Sequence, residues 1–209
     1  MIKAIFWDFD GTIADTTTLT IKAINTLAKE YNREHIPRET FRAQSIKNLI
    51  KNMHIHRRQV ILFVRKIKRY IQSNYTNIHS FPWIEEVFHT LSKQYIQGIV
   101  TSNKSSTVQK HLDKEWFSKN IEIIHCGLWN KAKKIKKLMK RHKLQNNEVV
   151  YIGDEVRDIE ACKQIWIKII AVSWWYNNQE ILKENTPNMI ISHPKDIIDS
   201  IKKIENQKS

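Results

Sequence analysis

The chain has 209 residues, 41% of them hydrophobic, with four Gly, four Pro and a formal net charge of +14. Such a length holds one good core with room for a smaller insertion, and is too short for two ordinary enzyme domains. The composition excludes a disordered chain, and no apolar run reaches the roughly eighteen residues that a membrane span needs.

In chain order, the first predicted element is a strand over 4–8. An acid at Asp8 stands where a signal peptide would carry its apolar stretch, so a cytoplasmic protein is expected. Residues from about 16 to 80 then show helical spacing, in Ile21, Ile24, Leu27 and Ala28 and again in Ile61, Val64, Ile67 and Ile71, with no strand pattern. This predicts a helical insertion over 15–80, ending at Phe81-Pro82, where proline favours a helix start. Beyond it, strands over 98–101, 121–125, 149–152, 169–173 and 189–191 alternate with helices over 84–94, 105–116, 132–142, 156–164 and 196–204. Short β-branched strands of this kind suit a parallel sheet buried on both faces. The predicted fold is α/β, a Rossmann-like doubly wound parallel sheet (1–14 and 81–209) with a small all-helical cap inserted after the first strand. The last residues, from Asn206 on, are expected to fray.

The positive charge is local. Nine Lys or Arg and no acid occur over 40–84, and eight more without an acid over 131–143, so the rest of the chain is slightly acidic. A lysine-rich composition can spread such charge over solvated helix faces. The sharper alternative turns part of Arg57-Arg58 and Arg65-Lys66-Lys68-Arg69 toward the crevice, where their field would steer polyanions. Nucleic acid is an alternative partner on this account, not the favoured one. Cys126 and Cys162 lack metal-ligand spacing and read as small buried thiols in a reducing compartment.

The chemistry is concentrated at the end of the first strand, in Phe6-Trp7-Asp8-Phe9-Asp10-Gly11-Thr12. Alternation puts Asp8 and Asp10 on one side, and Gly11 lets the backbone turn so that a phosphate can approach amide N–H groups. Ligands of open α/β sheets bind beyond the carboxyl ends of the strands, where this tetrad sits. Chance would place Asp-x-Asp-Gly-Thr in only about one such chain in a few hundred. Farther on, Gly153-Asp154-Glu155-Val156-Arg157-Asp158 leaves a buried strand with Asp154 and Asp158 four apart at a helix start. Helix capping by Asp154 with a solvated Asp158 would explain each acid singly but not their convergence with Asp8 and Asp10. An oxygen-only set of this kind suits Mg²⁺, which would offset the repulsion of several carboxylates in one crevice. His54 and His56 are isolated and read as solvated residues of the insertion.

These motifs resemble the haloacid dehalogenase-like hydrolase superfamily, in its phosphoglycolate phosphatase-like branch, over nearly the whole chain. The resemblance implies a phosphatase that hydrolyses a small anionic phosphomonoester through an aspartyl-phosphate. Asp8 maps to the nucleophile and Asp10 to the group that protonates the leaving alcohol and then activates water. Dehalogenases proper lack that second Asp, so its presence favours phosphoryl chemistry. Gly98-Ile99-Val100-Thr101-Ser102-Asn103 is similar to the family's second motif, which assigns Thr101 to the phosphoryl group with the Ser102 and Asn103 backbone helping, and Gly11 and Thr12 to substrate binding. The metal set implied is Asp8, the Asp10 carbonyl and Asp154, with Asp158 acting through water. The family's cation falls among Lys131, Lys133 and Lys134; Lys131, first after the loop over 127–130, is the choice here. Two departures stand out: Ala132 replaces the usual Pro, and Ser173-Trp174-Trp175-Tyr176 is aromatic where Gly is usual. Those aromatics either pack against the insertion or narrow the pocket entrance. A phosphomutase of the same family, or a basic nucleotide- or nucleic-acid-binding protein with an idle core, remains as an alternative, and a monomer or weak dimer without a membrane partner is expected.

Overall fold

The computed structural model describes residues 1–31, 33–44, 46–75, 78–115, 117, 121–125 and 130–206. Cys126, the loop over 127–129, the helix end expected at Trp116 and the terminus over 207–209 lie outside the described residues. Strand β1 (Ala4–Trp7) is followed by four helices, α1 (Thr17–Glu30), α2 (Arg38–Arg42), α3 (Ile46–Asn52) and α4 (Arg57–Ser73). The alternating part then runs α5 (Ile84–Ser92), β2 (Ile96–Thr101), α6 (Ser105–Lys114), β3 (Glu122–His125), α7 (Lys131–Arg141), β4 (Val149–Gly153), α8 (Val156–Gln164), β5 (Lys168–Val172), α9 (Gln179–Glu184), β6 (Met189–Ile191) and α10 (Asp196–Asn206).

The strands form one parallel sheet in the order β3-β2-β1-β4-β5-β6. All four residues of β1 and all five of β4 are buried, as a sheet covered on both faces requires. Alternation divides them. Ile5, Trp7, Ile99, Val150 and Ile152 face α5, α6 and α10, whereas Ala4, Phe6, Val100 and Tyr151 face α7, α8 and α9. Helix α5 shows why such helices form here: Ile84, Val87, Phe88 and Leu91 make one buried stripe, and each such side chain contributes about 1.5–3 kcal/mol. The Trp7 indole donates to Gln97 Oε1 at 2.6 Å, so its buried N–H is satisfied.

The chain runs outward from β1 to β3, then crosses to β4 on the other side of β1. The carboxyl ends of β1 and β4 therefore flank the switch point, where open α/β sheets bind ligands. The next residue after β1 in the same parity as Phe6 is Asp8, which aims it at the α7 and α8 side.

Helices α1 to α4 build a separate apolar cluster, with Ala23, Ile24, Leu27, Phe41, Phe63 and Ile67 packed on Trp175 and Tyr176 from the loop after β5. The chain enters and leaves this insertion at one place: Asp15 N donates to His79 O and Phe81 N to Ile13 O, both at 2.9 Å.

The predicted strand and helix bounds coincide with the observed ones or differ by one or two residues. Helix α9 was not foreseen, because only Leu182 is buried in its six residues and no period can show. The spacing puts Ile61 on the apolar stripe of α4, but it is 63% exposed; Val60, Phe63, Ile67 and Ile71 carry that contact instead. His56 is the N-cap of α4, its ring nitrogen accepting from Arg58 N at 3.4 Å.

Candidate active site

Asp8 extends the pairing of β1 by one bond, its N–H donating to Ile152 O at 2.8 Å. The chain then closes on itself: Ile13 N and Ala14 N both donate to Phe9 O, and Gly11 N to Ala14 O, each at 2.9 Å. Gly11 has φ +81°, a left-handed conformation that favours glycine. A Cβ there would also lie 2.4 Å from Asp154 Oδ2 and 2.6 Å from the Trp175 ring. Any side chain at this position would push apart the ends of β1, β4 and β5.

Asp8, Asp154 and Asp158 each present a carboxylate oxygen within 4.8 Å of the others, and all three are buried. Thr12 Oγ1 donates to Asp154 Oδ1 at 2.9 Å. Asp154 Oδ2 and Asp10 Oδ1 are buried without a hydrogen-bond partner among the described residues. Orphaned oxygens inside an oxygen-only donor set fit a hard divalent cation. Asp158 is wholly buried, not solvated, and the helix cap is Glu155, whose N–H donates to Asp158 Oδ2 at 3.1 Å. Gly153 makes room for this: a Cβ there would meet Asp158 Oδ2 at 2.4 Å.

The electrostatics follow from burial. Burial, then the charge of Asp8, pushes Asp10 up to about 7, against the lowering effect of its bond from Asn103. Asp154 is raised well above the carboxylate range by burial, then by the charges of Glu155, Asp8 and Asp158. Asp158 is raised by burial while Lys131 opposes, and Glu155 is raised by burial to about 7 while Arg157 opposes.

Lys131 is the first residue of α7 and only 5% exposed. Its Nζ lies 2.8 Å from Asp8 Oδ2, donates to Asp158 Oδ1, and sits 5.5 Å from the centre of the Tyr151 ring. Lys133 is exposed and Lys134 half-buried, as helical rotation dictates for positions two and three residues along.

Thr101 ends β2, fully buried, its Oγ1 accepting from Asn103 N at 3.0 Å. Asn103 Nδ2 donates to Asp10 Oδ2 at 2.6 Å, and Lys68 Nζ from α4 donates to the Ser102 carbonyl at 3.1 Å. The Gly11 N–H donates to the Ala14 carbonyl, the Thr12 hydroxyl to Asp154 and the Asn103 N–H to Thr101 Oγ1, so these groups also shape the turn and the strand ends.

Several residues were missed. Arg157 pairs with Glu155 at 2.7 Å and reaches within 4.0 Å of Asp8 Oδ2. Both lie at variable positions inside the Asp154–Asp158 motif, where spacing rules are silent. Asn177 is wholly buried and joins three segments: its Oδ1 accepts from Val156 N at 2.9 Å, and its Nδ2 donates to Gln44 O at 3.1 Å and Arg42 O at 3.4 Å. Arg42 in turn donates to Ser173 O at 2.7 Å. Only Lys68 had a local signal, standing one turn after Val64 at the edge of the apolar stripe of α4. Of the basic cluster in that helix, Lys68 alone lines the cavity above Asp10; Arg65, Lys66 and Arg69 are exposed, and Lys66 pairs with Glu30 at 2.5 Å. Trp175 and Tyr176 pack on Phe41 of the insertion, at ring distances of 6.2 and 4.6 Å, and line the cavity.

A family model described as haloacid dehalogenase-like hydrolase matches residues 5–172. The chain is 23% identical over 212 residues to a phosphoglycolate phosphatase of Synechococcus elongatus, covering 99% of this chain and 100% of that one. It is 24% identical over 204 residues to pyrophosphatase PpaX of Oceanobacillus iheyensis, covering 94% and 95%. Among solved structures, a haloacid dehalogenase-like hydrolase from Streptococcus pneumoniae superposes with a TM-score of 0.79 at 23% identity, covering 96% of this chain and 98% of that one. A predicted phosphatase from Clostridium acetobutylicum superposes with a TM-score of 0.81 at 14% identity, covering 97% and 99%. No helix among the described residues is long and apolar enough to cross a membrane.

Proposed function

Because the chain belongs to the haloacid dehalogenase-like hydrolases, we propose that it is a Mg²⁺-dependent phosphatase acting on a small phosphate monoester through an aspartyl-phosphate on Asp8. The observation that carries this reading is the setting of Asp8. Its carboxylate lies at the switch point between the Lys131 ammonium, 2.8 Å away, and a buried acid cluster with an orphaned Asp154 oxygen. A lone structural carboxylate would need neither.

In this mechanism an Asp8 oxygen attacks phosphorus and the bond from phosphorus to the leaving oxygen breaks. Asp10 gives its proton to that oxygen; a carboxyl raised to about 7 holds a proton near neutral pH, as the step requires. Water then attacks the same phosphorus, Asp10 takes its proton, the bond from phosphorus to the Asp8 oxygen breaks and inorganic phosphate leaves with Asp8 restored. Asn103 holds Asp10 in place. Lys131 stabilises charge on the phosphoryl oxygens, and Thr101, whose hydroxyl hydrogen is left over after accepting from Asn103, donates to them. Asp8, the Asp10 carbonyl and Asp154 would hold Mg²⁺ with Asp158 behind them, and the ion would supply neutralisation between an anionic nucleophile and an anionic substrate. Residues 15–80 serve as a cap over the crevice. A cytoplasmic site of action is part of this reading.

The test is hydrolysis of p-nitrophenyl phosphate with Mg²⁺, after chelation, and by Asp8→Asn. Chelation is expected to abolish turnover and Mg²⁺ to restore it. Wild-type protein is expected to yield a hydroxylamine-sensitive phosphoprotein that Asp8→Asn lacks. Full activity after exhaustive chelation would remove the metal from the mechanism, and turnover by a folded Asp8→Asn protein would remove Asp8 as nucleophile.

A further inference from the structure

A cavity of about 90 Å³ opens from Asp10 and runs beneath the helical insertion. Its floor is polar, with Asp10, Ser102, Asn103, Glu155 and Arg157. Its far wall is mainly apolar: Ile24, Leu49, Phe63, Val64, Ile67 and Ile71 come from the insertion, with Thr20 beside them. Trp175 and Tyr176 close it from the loop after β5. Among the described residues its cations are Lys68 and Arg157, and both lie at the floor, on the Ser102 carbonyl and on Glu155 respectively.

Resting on the phosphatase reading above, we infer that the substrate is the phosphate monoester of a small, uncharged, mainly apolar alcohol. Three observations converge on this. A leaving group bound above Asp10 projects into the apolar wall, where a second anionic group would be buried against hydrocarbon without a counter-charge. The space between the insertion and the loop after β5 gives a short aliphatic chain or a single ring apolar contact on several sides. Finally, Trp175 and Tyr176 line the space, and aromatic side chains of this kind suit an apolar chain or ring. Phosphoglycolate and pyrophosphate, named for the relatives, both carry a second anionic group.

The experiment compares kcat/KM of the full-length wild-type protein with Mg²⁺ on benzyl phosphate, 2-phosphoglycolate, pyrophosphate, a nucleoside monophosphate and acetyl phosphate. Benzyl phosphate is expected to exceed phosphoglycolate, pyrophosphate and the nucleotide by about tenfold or more, the scale on which one apolar group is discriminated in a pocket. Val64→Lys, which places a cation on the wall, is expected to narrow the benzyl-to-phosphoglycolate ratio by a similar factor. If that variant fails to fold, the wild-type dissociation constants of benzylphosphonate and phosphonoacetate, measured by calorimetry, must show the same preference. Phosphoglycolate, pyrophosphate or the nucleotide as equal or better substrate, with acetyl phosphate turned over, would overturn this inference and leave the phosphatase reading standing. No turnover of any ester, acetyl phosphate included, would sink both.

Discussion

The crevice at the strand ends and the wall beneath the insertion are neighbours built on opposite rules. In the crevice every side chain has a polar task at a fixed backbone position: Asp8 one residue past β1, Asp154 one past β4, Lys131 at the first residue of α7. On the wall the residues are interchangeable hydrocarbons, and what matters is which helix they come from. A strand end fixes a functional group to within a fraction of an ångström of its place, whereas an apolar wall tolerates repacking of similar volume. Reaction type therefore resides in the first region and choice of leaving group in the second.

The sharpest way to break this contrast is to remove one charge from the crevice. Lys131→Ala is expected to lower kcat by about 10²–10³, because a donor aimed at developing charge is lost. Lys133→Ala, two residues along on the solvent face, is expected to stay within about twofold. Steady-state kinetics of both variants decide it. If Lys133→Ala is the crippling change, the charge that matters is not the one beside Asp8.

The next effect concerns the junction of the two regions. His111 on α6 sits under Phe9 at a ring distance of 5.2 Å, and its Nε2 lies 3.0 Å from Ser80 Oγ, where the insertion rejoins the core. Burial lowers its pKa from 6.5 to about 4, with Lys114 and His79 acting in the same direction and Glu115 opposing. The folded protein thus binds fewer protons than the unfolded chain between these values, so stability rises with pH across the interval. The contribution is complete above 6.5, falls as pH drops toward 4, and amounts to at most about 3 kcal/mol. Denaturant melts at pH 7 and 4.5 are expected to show a smaller loss in His111→Gln than in wild type. An equal loss in both would place the acid sensitivity elsewhere.

What was legible from sequence follows the same division. The α/β order, the six strands and the acids Asp8, Asp10, Asp154 and Asp158 could be read because each depends on spacing within a few residues. Lys131 could be singled out from its neighbours only by position at a helix start. Glu155 and Arg157 escaped because their pairing depends on rotamers inside a motif whose intervening positions carry no rule. Asn177 escaped because its partners Arg42 and Gln44 lie more than 130 residues away, and no local pattern encodes such a contact.

Asn177 therefore offers a way to couple the two regions. Asn177→Ala removes the acceptor for Val156 N and the donors to Gln44 and Arg42 together. Leaving those buried groups unpaired is expected to cost about 1–3 kcal/mol of stability. It should also raise KM more than it lowers kcat, since the insertion loses a tie to the core while Asp8 and Lys131 keep theirs. Equal damage to both parameters would mean that Asn177 acts on Asp154 and not on the wall.

The smallest expected effect is the most instructive about the charge of +14. Composition suggested that the basic run in α4 could serve the crevice, yet a helix turns most of such a run outward. Arg65, Lys66 and Arg69 face solvent, while Lys68, on the inner side, is held on the Ser102 carbonyl. Exposed charges are screened over about 8 Å at physiological ionic strength, and the leaving group proposed for this site carries no second charge for them to attract. Neutralising Arg65 and Arg69 together is accordingly expected to change kcat/KM by less than about twofold at physiological salt, for benzyl phosphate and pyrophosphate alike. The comparison is made again at low salt, where screening weakens and long-range steering shows itself most. A selective loss on pyrophosphate there, restored by added salt, would show that the outer face of α4 does gather polyanions. It would move part of substrate choice from the apolar wall to the surface charge.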